Sequence, residues 1–395
     1  MTKTVDAATM RQINKKYVTE IIYNQGPLSR IDISQITGLN KATVSSLVDD
    51  LIADDFVNEI GFGTSNGGRK PVLLQLNASA GYCIGVDIQI THMTTVLTDM
   101  SGSIIYKSIR PIDCADGGLT QTELEEILID EMNHAAVKAP PSRHSIIGAG
   151  IALPGIVNFS TGSVFYLPNI EIRDWDICGA LTKHFPFPIF IDNDGNCGAW
   201  SEYRLRQINN LVFVNVGIGV GTGIVVNGQL YRGAHGIAGE FGHMTISAMG
   251  LLCACGNYGC WEQYASEQAL LRYLQEEEEE VSEALKLSPN LVSVAVARAI
   301  EKPSYKRAFQ VLGQYLGIGI SNIVNALNPE LVVIGGTMAL GAEYFLPEVQ
   351  SALRNRSMAS NKYVPIAIAH GDTIVSGAAQ LPISNTILQS PLSAT

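Results

Sequence analysis

Two stretches of this chain share one layout: strand, turn, strand, polar-glycine turn, strand. The first runs through residues 82–87, 94–98 and 103–107, with a turn at 99–102. The second runs through 211–216, a glycine-rich turn, 223–226, the pair Asn227-Gly228 and 229–231. Self-similarity of this kind reads as a degenerate internal duplication of one β-hairpin unit. Each unit is followed by segments of helical character, so the body is expected to be α/β. The 395 residues suffice for two or three domains with their own cores.

No apolar run reaches the length of a membrane span. Residues 211–226 come closest, but glycines, Asn215 and Thr222 interrupt them. The beginning of the chain carries Lys3, Asp6 and Arg11 and lacks the apolar core of a signal peptide. A cytoplasmic protein without a membrane partner is expected. In such a compartment the seven cysteines are not a disulfide framework. Cys83, Cys114, Cys178 and Cys197 are scattered among apolar neighbours and read as small buried hydrophobes.

Ahead of the duplicated body lies a different texture. Residues 10–24 read as a helix with Ile13, Tyr17, Val18, Ile21 and Ile22 near helical spacing, ended by Gly26-Pro27. Ser29 is placed to cap a short second helix carrying Ile31, Ile33 and Ile36. Gly38 supplies a sharp turn, and Asn40 caps a third helix over 41–53 with Val44, Leu47, Val48 and Leu51 facing inward. Helix, short helix, glycine turn and helix make a helix-turn-helix. Strands at 56–60 and 71–76 then flank a glycine-rich hairpin tipped by Arg69 and Lys70, in the manner of a wing.

The third helix would present Lys41, Ala42, Thr43, Ser45 and Ser46 outward. Hydroxyls reach phosphates and base edges, and an alanine methyl can meet a thymine methyl. Arg30, Arg69 and Lys70 are candidates for phosphate or minor-groove contacts. Such a head must also turn Asp49, Asp50, Asp54 and Asp55 away from a duplex. The competing reading is a three-helix protein-interaction module, and the wing favours DNA. Charge supports docking by the head alone. Residues 1–80 hold eight basic and eight acidic side chains, so the whole net charge of −11 falls on the remainder.

His243, Cys253, Cys255 and Cys260 are spaced H-x9-C-x-C-x4-C. Three soft ligands within eight residues, with Gly256 and Gly259 permitting a tight fold-back, point to a closed tetrahedral zinc site. With no ligand position open, the zinc is structural and activates no water. A further set of polar residues lies beside glycines: Gly155, Asn169, Asn193, Asp194, Glu240, His243 and Glu262. Carboxylates and amides of fixed geometry suit a hydroxyl-rich ligand, because each sugar hydroxyl both donates and accepts. The run Glu276 to Glu280 reads as a solvated helix end or loop.

These residues resemble the ROK family of bacterial sugar kinases and sugar-responsive repressors. The most specific stretch runs from Leu230-Tyr231-Arg232-Gly233 through Gly239-Glu240-Phe241-Gly242-His243 to Cys253-x-Cys255-Gly256-x-x-Gly259-Cys260-x-Glu262. The resemblance implies an actin-like body of the ribonuclease H-like, hexokinase-type class, with a sugar in the cleft between two lobes. Residues 1–78 would form the winged helix-turn-helix, 79–194 with 372–395 a small lobe, and 195–371 a large lobe carrying the zinc and dimer contacts. It implies sugar contacts at Gly155, Asn193, Asp194, Glu240, His243 and Glu262, with His243 serving metal and sugar through its two ring nitrogens.

One departure separates kinase from repressor. Family kinases carry D-x-G-G-T at the first hairpin, where backbone N–H groups cradle ATP phosphates. Here the segment is Asp87-Ile88-Gln89-Ile90-Thr91. Side chains at Gln89 and Ile90 would obstruct a phosphate and strain any positive-φ turn. The second hairpin glycines (Gly217, Gly219, Gly221 and Gly223) and Asp194, which matches the kinase base, are retained. The expectation is a repressor with no ATP and no enzymatic activity. It would bind a palindromic operator as a homodimer, with a tetramer as the alternative, and be released by a monosaccharide. The wording at Gly242-His243-Met244-Thr245-Ile246 and Gly259-Cys260-Trp261-Glu262 is similar to xylose-responsive members, which favours D-xylose over D-glucose. The rival expectations are a sugar kinase with an added DNA-binding head, and a regulator docked by a protein.

Overall fold

The computed structural model describes residues 6–63, 70–112, 118–168, 170–277 and 290–388. The expectations placed on Arg69, Asn169, Cys114, the Gly67-Gly68 tip and Glu278 to Glu280 lie outside these residues.

Three helices begin the chain: α1 (Ala7–Gln25), α2 (Arg30–Thr37) and α3 (Lys41–Ala53). Each starts at a side chain that accepts an otherwise unpaired N–H of the first turn: Asp6, Ser29 and Asn40. Ser29 and Asp32 form a reciprocal capping box. Gly38 ends α2 at φ 71°, a left-handed conformation that suits glycine, and so sets the turn into α3. Val18, Ile22, Ile33, Val44, Leu47, Val48 and Leu51 close a small core with Val57 and Leu74. Ile31 and Ile36 do not join it and are exposed. Ile31 lies two residues from Ile33 and so on the opposite side of the helix, while Ile36 stands in the last turn, just before Gly38. A three-stranded antiparallel sheet completes the head. Val72–Leu76 lies at its centre between Val57–Phe62 and the short strand Leu28–Ser29, which was not anticipated.

Two five-stranded sheets make the body, and they have the same topology. In the first, Tyr82–Ile88 pairs antiparallel with His92–Asp99, which pairs with Ile104–Pro111. On its other side Tyr82–Ile88 runs parallel to Ile146–Leu153, and that strand parallel to Ile189–Asn193. In the second, Leu211–Val216 pairs antiparallel with Val220–Val226 and then Gln229–Leu230. On its other side it runs parallel to Leu331–Gly335 and then Ile366–Ile368. The duplicated hairpin units are therefore the leading three strands of two equivalent sheets. A small sheet of Ile156–Asn158, Ser163–Leu167 and Ile172–Trp175 lies beside the first.

The two sheets exchange helices. Asp194–Arg206 follows the first sheet in the chain but packs on the second: a Cβ on Gly198 would fall 2.2 Å from the Phe213 ring, and one on Gly223 2.0 Å from the Gly195 carbonyl oxygen. Thr373–Pro382 follows the second sheet but packs on the first, where a Cβ on Gly150 would fall 1.9 Å from the Ala378 carbonyl oxygen. The two helices cross at Gly377, whose Cβ would lie 1.9 Å from the Cys197 carbonyl oxygen. This crossing joins the halves of the body.

Among the described residues no helix is long and apolar enough to cross a membrane. Cys83 and Cys197 are buried free thiols, as their apolar contexts suggested, and Cys178 is partly so. Because backbone contacts at the helix crossing leave no room to relax, Gly377→Ala is expected to destabilise the chain by about 1–3 kcal/mol. Chemical denaturation monitored by tryptophan fluorescence would measure this as a lower midpoint at unchanged slope.

Candidate ligand cleft and metal centre

The cleft begins where Ile189–Asn193 becomes helix Asp194–Arg206. Asn193 has two duties. Its Oδ1 accepts the Gly195 N–H at 2.8 Å and caps the helix, while its Nδ2 donates to the Gly155 carbonyl at 3.0 Å. Asp194 is buried. Its Oδ1 accepts from Gly195 N at 2.7 Å and its Oδ2 from Asn215 Nδ2 at 2.8 Å. Burial pushes its carboxyl up to about 6, against the pull of these two donors. Glu240 lies close enough to Asp194 to raise it further, and burial in turn raises Glu240.

His243 ends the 3-10 turn Phe241–His243, and Glu262 begins the helix Glu262–Ala265. His243 Nδ1 and Glu262 Oε1 are 3.5 Å apart. The second hairpin closes over these groups. A Cβ on Gly219 would fall 3.1 Å from Glu262 Oε2, and one on Gly221 3.5 Å from Asp194 Oδ1. Gly155 and Asn193 are thus joined by a hydrogen bond beside Asp194, His243 stands next to Glu262, and Glu240 lies near enough to Asp194, His243 and Glu262 for their charges to act on one another. These fixed acceptors and amide groups are the chemistry that sugar hydroxyls match.

At the rim, His243, Cys253, Cys255 and Cys260 turn one ligand atom each toward a common centre, all within 4.8 Å of one another. Cys255 Sγ and Cys260 Sγ are 3.7 Å apart, and Cys253 Sγ lies 3.6 Å from His243 Nδ1. A tetrahedron with metal–sulfur bonds of about 2.3 Å has edges of about 3.8 Å, so the four atoms fit a metal ion of that size. The left-handed Gly256 (φ 88°) and Gly259 (φ 71°) allow the fold-back. Burial, then the Glu262 contact, disfavours the Cys253 thiolate without a cation, whereas the Asn257 N–H lowers Cys255. A cation held by these ligands would offset the first effect and release protons. The Cys253 S–H donates to Glu262 Oε1 at 3.0 Å, a bond that the corresponding thiolate would not make. A second cluster, Asp130, Glu131 and His134, faces the Arg110 guanidinium, which lies 2.6 Å from Asp130 and 3.5 Å from Glu131.

The profile of the ROK family matches residues 83–383. The chain belongs to the ROK family. A xylose repressor of Bacillus spizizenii is 37% identical over 89% of this chain and 89% of its own length. The DNA-binding transcriptional dual regulator NagC of Escherichia coli is 26% identical over 88% of this chain and 86% of its own. The crystal structure of a ROK family transcriptional regulator, a homologue of the E. coli MLC protein, superposes with a TM-score of 0.79 at 26% identity, over 95% of this chain and 96% of that one. A ROK glucokinase from Streptomyces griseus, in complex with glucose and AMPPNP, superposes at 0.63 with 26% identity. It covers 76% of this chain and 99% of its own. The kinase thus covers a smaller share of this chain than the regulators do, and the ROK match begins at residue 83, after the head.

Within this ROK body the first hairpin turn differs from a phosphate cradle. Gln89 turns back so that its Nε2 donates to Asp87 Oδ1 at 2.7 Å, and Ile90 packs into the core of the first sheet. Residues 89–91 have no positive φ, so the strain anticipated for a left-handed turn does not arise. Asp87 is buried, and desolvation pushes its carboxyl up to about 7.

In the head, Lys41 and Ala42 are exposed at the start of α3, and Thr43, Ser45 and Ser46 are half-buried along it. Arg11 donates to Ser46 Oγ at 3.0 Å. Arg30 is committed inside the head, bridging Asp49 and Glu59 at 2.9 Å each. Arg11 pairs with Asp50 at 2.6 Å and Lys15 with Asp54 at 2.5 Å. Three of the four acids that a duplex would repel are thus matched by cations of the head itself. Lys70 is exposed at the base of the hairpin.

Asn215, read from sequence only as a break in an apolar run, and Asp192 were not singled out there as site residues. Asn215 anchors Asp194, and Asp192 accepts from Asn193 N and Asn196 Nδ2 and pairs with Arg232 at 2.5 Å. Both are polar residues at buried positions of otherwise apolar strands, Leu211–Val216 and Ile189–Asn193, and that interruption is the signal that could have found them. A folded carboxyl raised above its unfolded value weakens the fold as pH climbs from about 4 to 7, because only the unfolded chain ionises freely there. Asp87→Asn should therefore leave the melting temperature near wild type at pH 4 and raise it increasingly up to pH 8. Thermal melts across that range read the difference, and a constant offset would contradict the assignment.

Proposed function

We propose that this ROK chain is a sugar-responsive transcriptional repressor whose head is a winged helix-turn-helix. The observation that carries this reading is a single connected one. A cleft of fixed carboxylates and amides lies between two sheets, and a helical head of the size and order of a duplex reader is built onto the same body. The kinship with repressors over most of the chain supports it.

In this reading α3 lies in the major groove with Lys41, Ala42, Thr43, Ser45 and Ser46 toward DNA, and Arg69 and Lys70 act from the wing. Arg30 contributes indirectly by neutralising Asp49 and Glu59. Two heads of a homodimer read half-sites spaced by about one helical turn, roughly 34 Å, or its multiples. The inducer is D-xylose, a choice supported by the 37% identity to a xylose repressor. Gly155, Asn193, Asp194, Glu240, His243 and Glu262 hold it, with Asn169 as a further contact. The metal is zinc, held structurally by His243, Cys253, Cys255 and Cys260. With Nδ1 committed to the metal, the ring is fixed and Nε2 can meet a sugar hydroxyl. The lobes, 79–194 with 372–395 and 195–371, close over the ligand. Gln89 and Ile90, filling the first hairpin turn, leave no backbone cradle for a nucleotide phosphate.

Gel-shift titration tests the effector. D-Xylose is expected to weaken operator binding ~5–150-fold, the range of an ordinary allosteric coupling. D-Glucose should act less, and indifference to both sugars would sink the assignment. Zinc is tested separately. Purified protein should carry one zinc per chain by elemental analysis. Removing it with a strong chelator should lower the melting temperature and abolish xylose binding in calorimetry. A metal-free preparation that binds xylose normally would contradict the structural role.

A further inference from the structure

Two regular elements link the candidate site to the head. The first is the strand Ile146–Leu153, eight residues and about 26 Å long. Beyond its cleft end stands Gly155, bonded to Asn193. At its other end Arg143 and His144 grip the C-terminus of α3. Arg143 donates to the Ala53 carbonyl, and His144 Nε2 lies 2.7 Å from the Asp54 carbonyl oxygen. The His144 ring also stacks on Phe56, with centroids 4.2 Å apart and planes 9° apart. The last carbonyls of a helix lack intrahelical donors and attract positive charge, so the Arg143 guanidinium there is a favourable anchor, with the His144 ring beside it.

The second element is helix Asp194–Arg206, thirteen residues and about 20 Å long. It starts at the candidate sugar contacts Asn193 and Asp194. Near its end, Arg204 lays its guanidinium on the Tyr23 ring, 3.8 Å from the centroid, and donates to Asn24 Oδ1 and the Tyr23 carbonyl. Tyr23 and Asn24 belong to the last turn of α1. Between these two grips, Tyr23 and Phe56 pack with Ile147, Met100 and Ile383 of the body in one small apolar cluster. The head is thus not on a loose tether. Its first and third helices are each held by the far end of an element whose near end lines the cleft.

We infer that Arg204, Arg143 and His144 are positioning residues that carry sugar occupancy to the DNA-reading head. The inference rests on the repressor reading above. A ligand that draws Asn193 and Asp194 toward Glu240 and Glu262 moves helix Asp194–Arg206 relative to strand Ile146–Leu153. The two grips then shift differently, and the head rotates about the cluster between them. Helix displacements of about 1–2 Å suffice to repack an interface of this kind. Because the grips touch neither sugar nor DNA, they act on the coupling rather than on either affinity.

The experiment uses the full-length zinc-loaded protein and two variants, Arg204→Ala and the double Arg143→Ala, His144→Ala. Calorimetry measures the dissociation constant for D-xylose. Fluorescence anisotropy measures operator affinity with and without saturating D-xylose. The variants are expected to bind D-xylose within about twofold of wild type, while the ratio of the two operator affinities falls at least fivefold toward unity. Variants that keep the wild-type ratio, or lose D-xylose binding itself, overturn the inference. Hydrogen exchange on the unmutated protein is an independent arm that survives a poorly folded variant. D-Xylose should change amide protection at residues 20–25 and 53–57, and unchanged protection there overturns the inference as well. A wild-type protein that binds D-xylose with no change in operator affinity instead sinks the repressor reading, and is recognised before any variant is made.

Discussion

Asn193 sits where the last strand of the first sheet becomes the helix that packs on the second. Its side chain has one acceptor and one donor group, and both are committed: the acceptor to the first turn of Asp194–Arg206, the donor to the Gly155 carbonyl at the end of the neighbouring strand. A helix cap is ordinarily a local device worth about 1 kcal/mol. Here the same residue also fixes a helix that has crossed from one sheet to pack on the other. Asp194 is held next to it by Asn215 from the second sheet. The side chains of Asn193 and Asp194 are therefore fixed in direction by the start of the helix and by the second sheet.

The first turns of that helix are confined by close approaches. Gly195 meets Gly223, Gly198 accommodates the Phe213 ring, and Cys197 meets Gly377 of the crossing helix. Close packing of this kind transmits displacement because interiors do not compress. Near its far end Glu202, almost fully buried, is satisfied by Arg206 at 2.6 Å and Thr373 at 3.1 Å. The crossing helices are thereby pinned together at a second point.

Electrostatics separates the two ends of the molecule. The body carries the negative charge, yet the head neutralises its own acids through Arg11, Lys15 and Arg30. Exposed pairs of this sort contribute little stability. Their consequence is instead the surface they leave: α3 presents hydroxyls and Lys41 without an uncompensated carboxylate row. The rim of the cleft follows a different logic, in which three cysteines and His243 bring into one small volume a segment that lacks regular secondary structure and set it beside Glu262.

Much of this was legible in the residue order. The duplicated hairpins, the caps at Ser29 and Asn40, the inward row Val44, Leu47, Val48 and Leu51, and the cysteine spacing are all short-range patterns. Local propensity and spacing determine them before any distant contact forms. The same holds for Gln89 and Ile90, which replace glycines at a turn. What residue order could not supply is anything that depends on partners far apart in the chain. The exchange of helices between sheets, Asn215 beneath Asp194, Arg30 withdrawn to Asp49 and Glu59, and the grips of Arg143, His144 and Arg204 on the head are all such contacts. They join residues whose separation leaves no periodic trace, because the pairing is chosen by how two packed bodies meet and not by either segment alone.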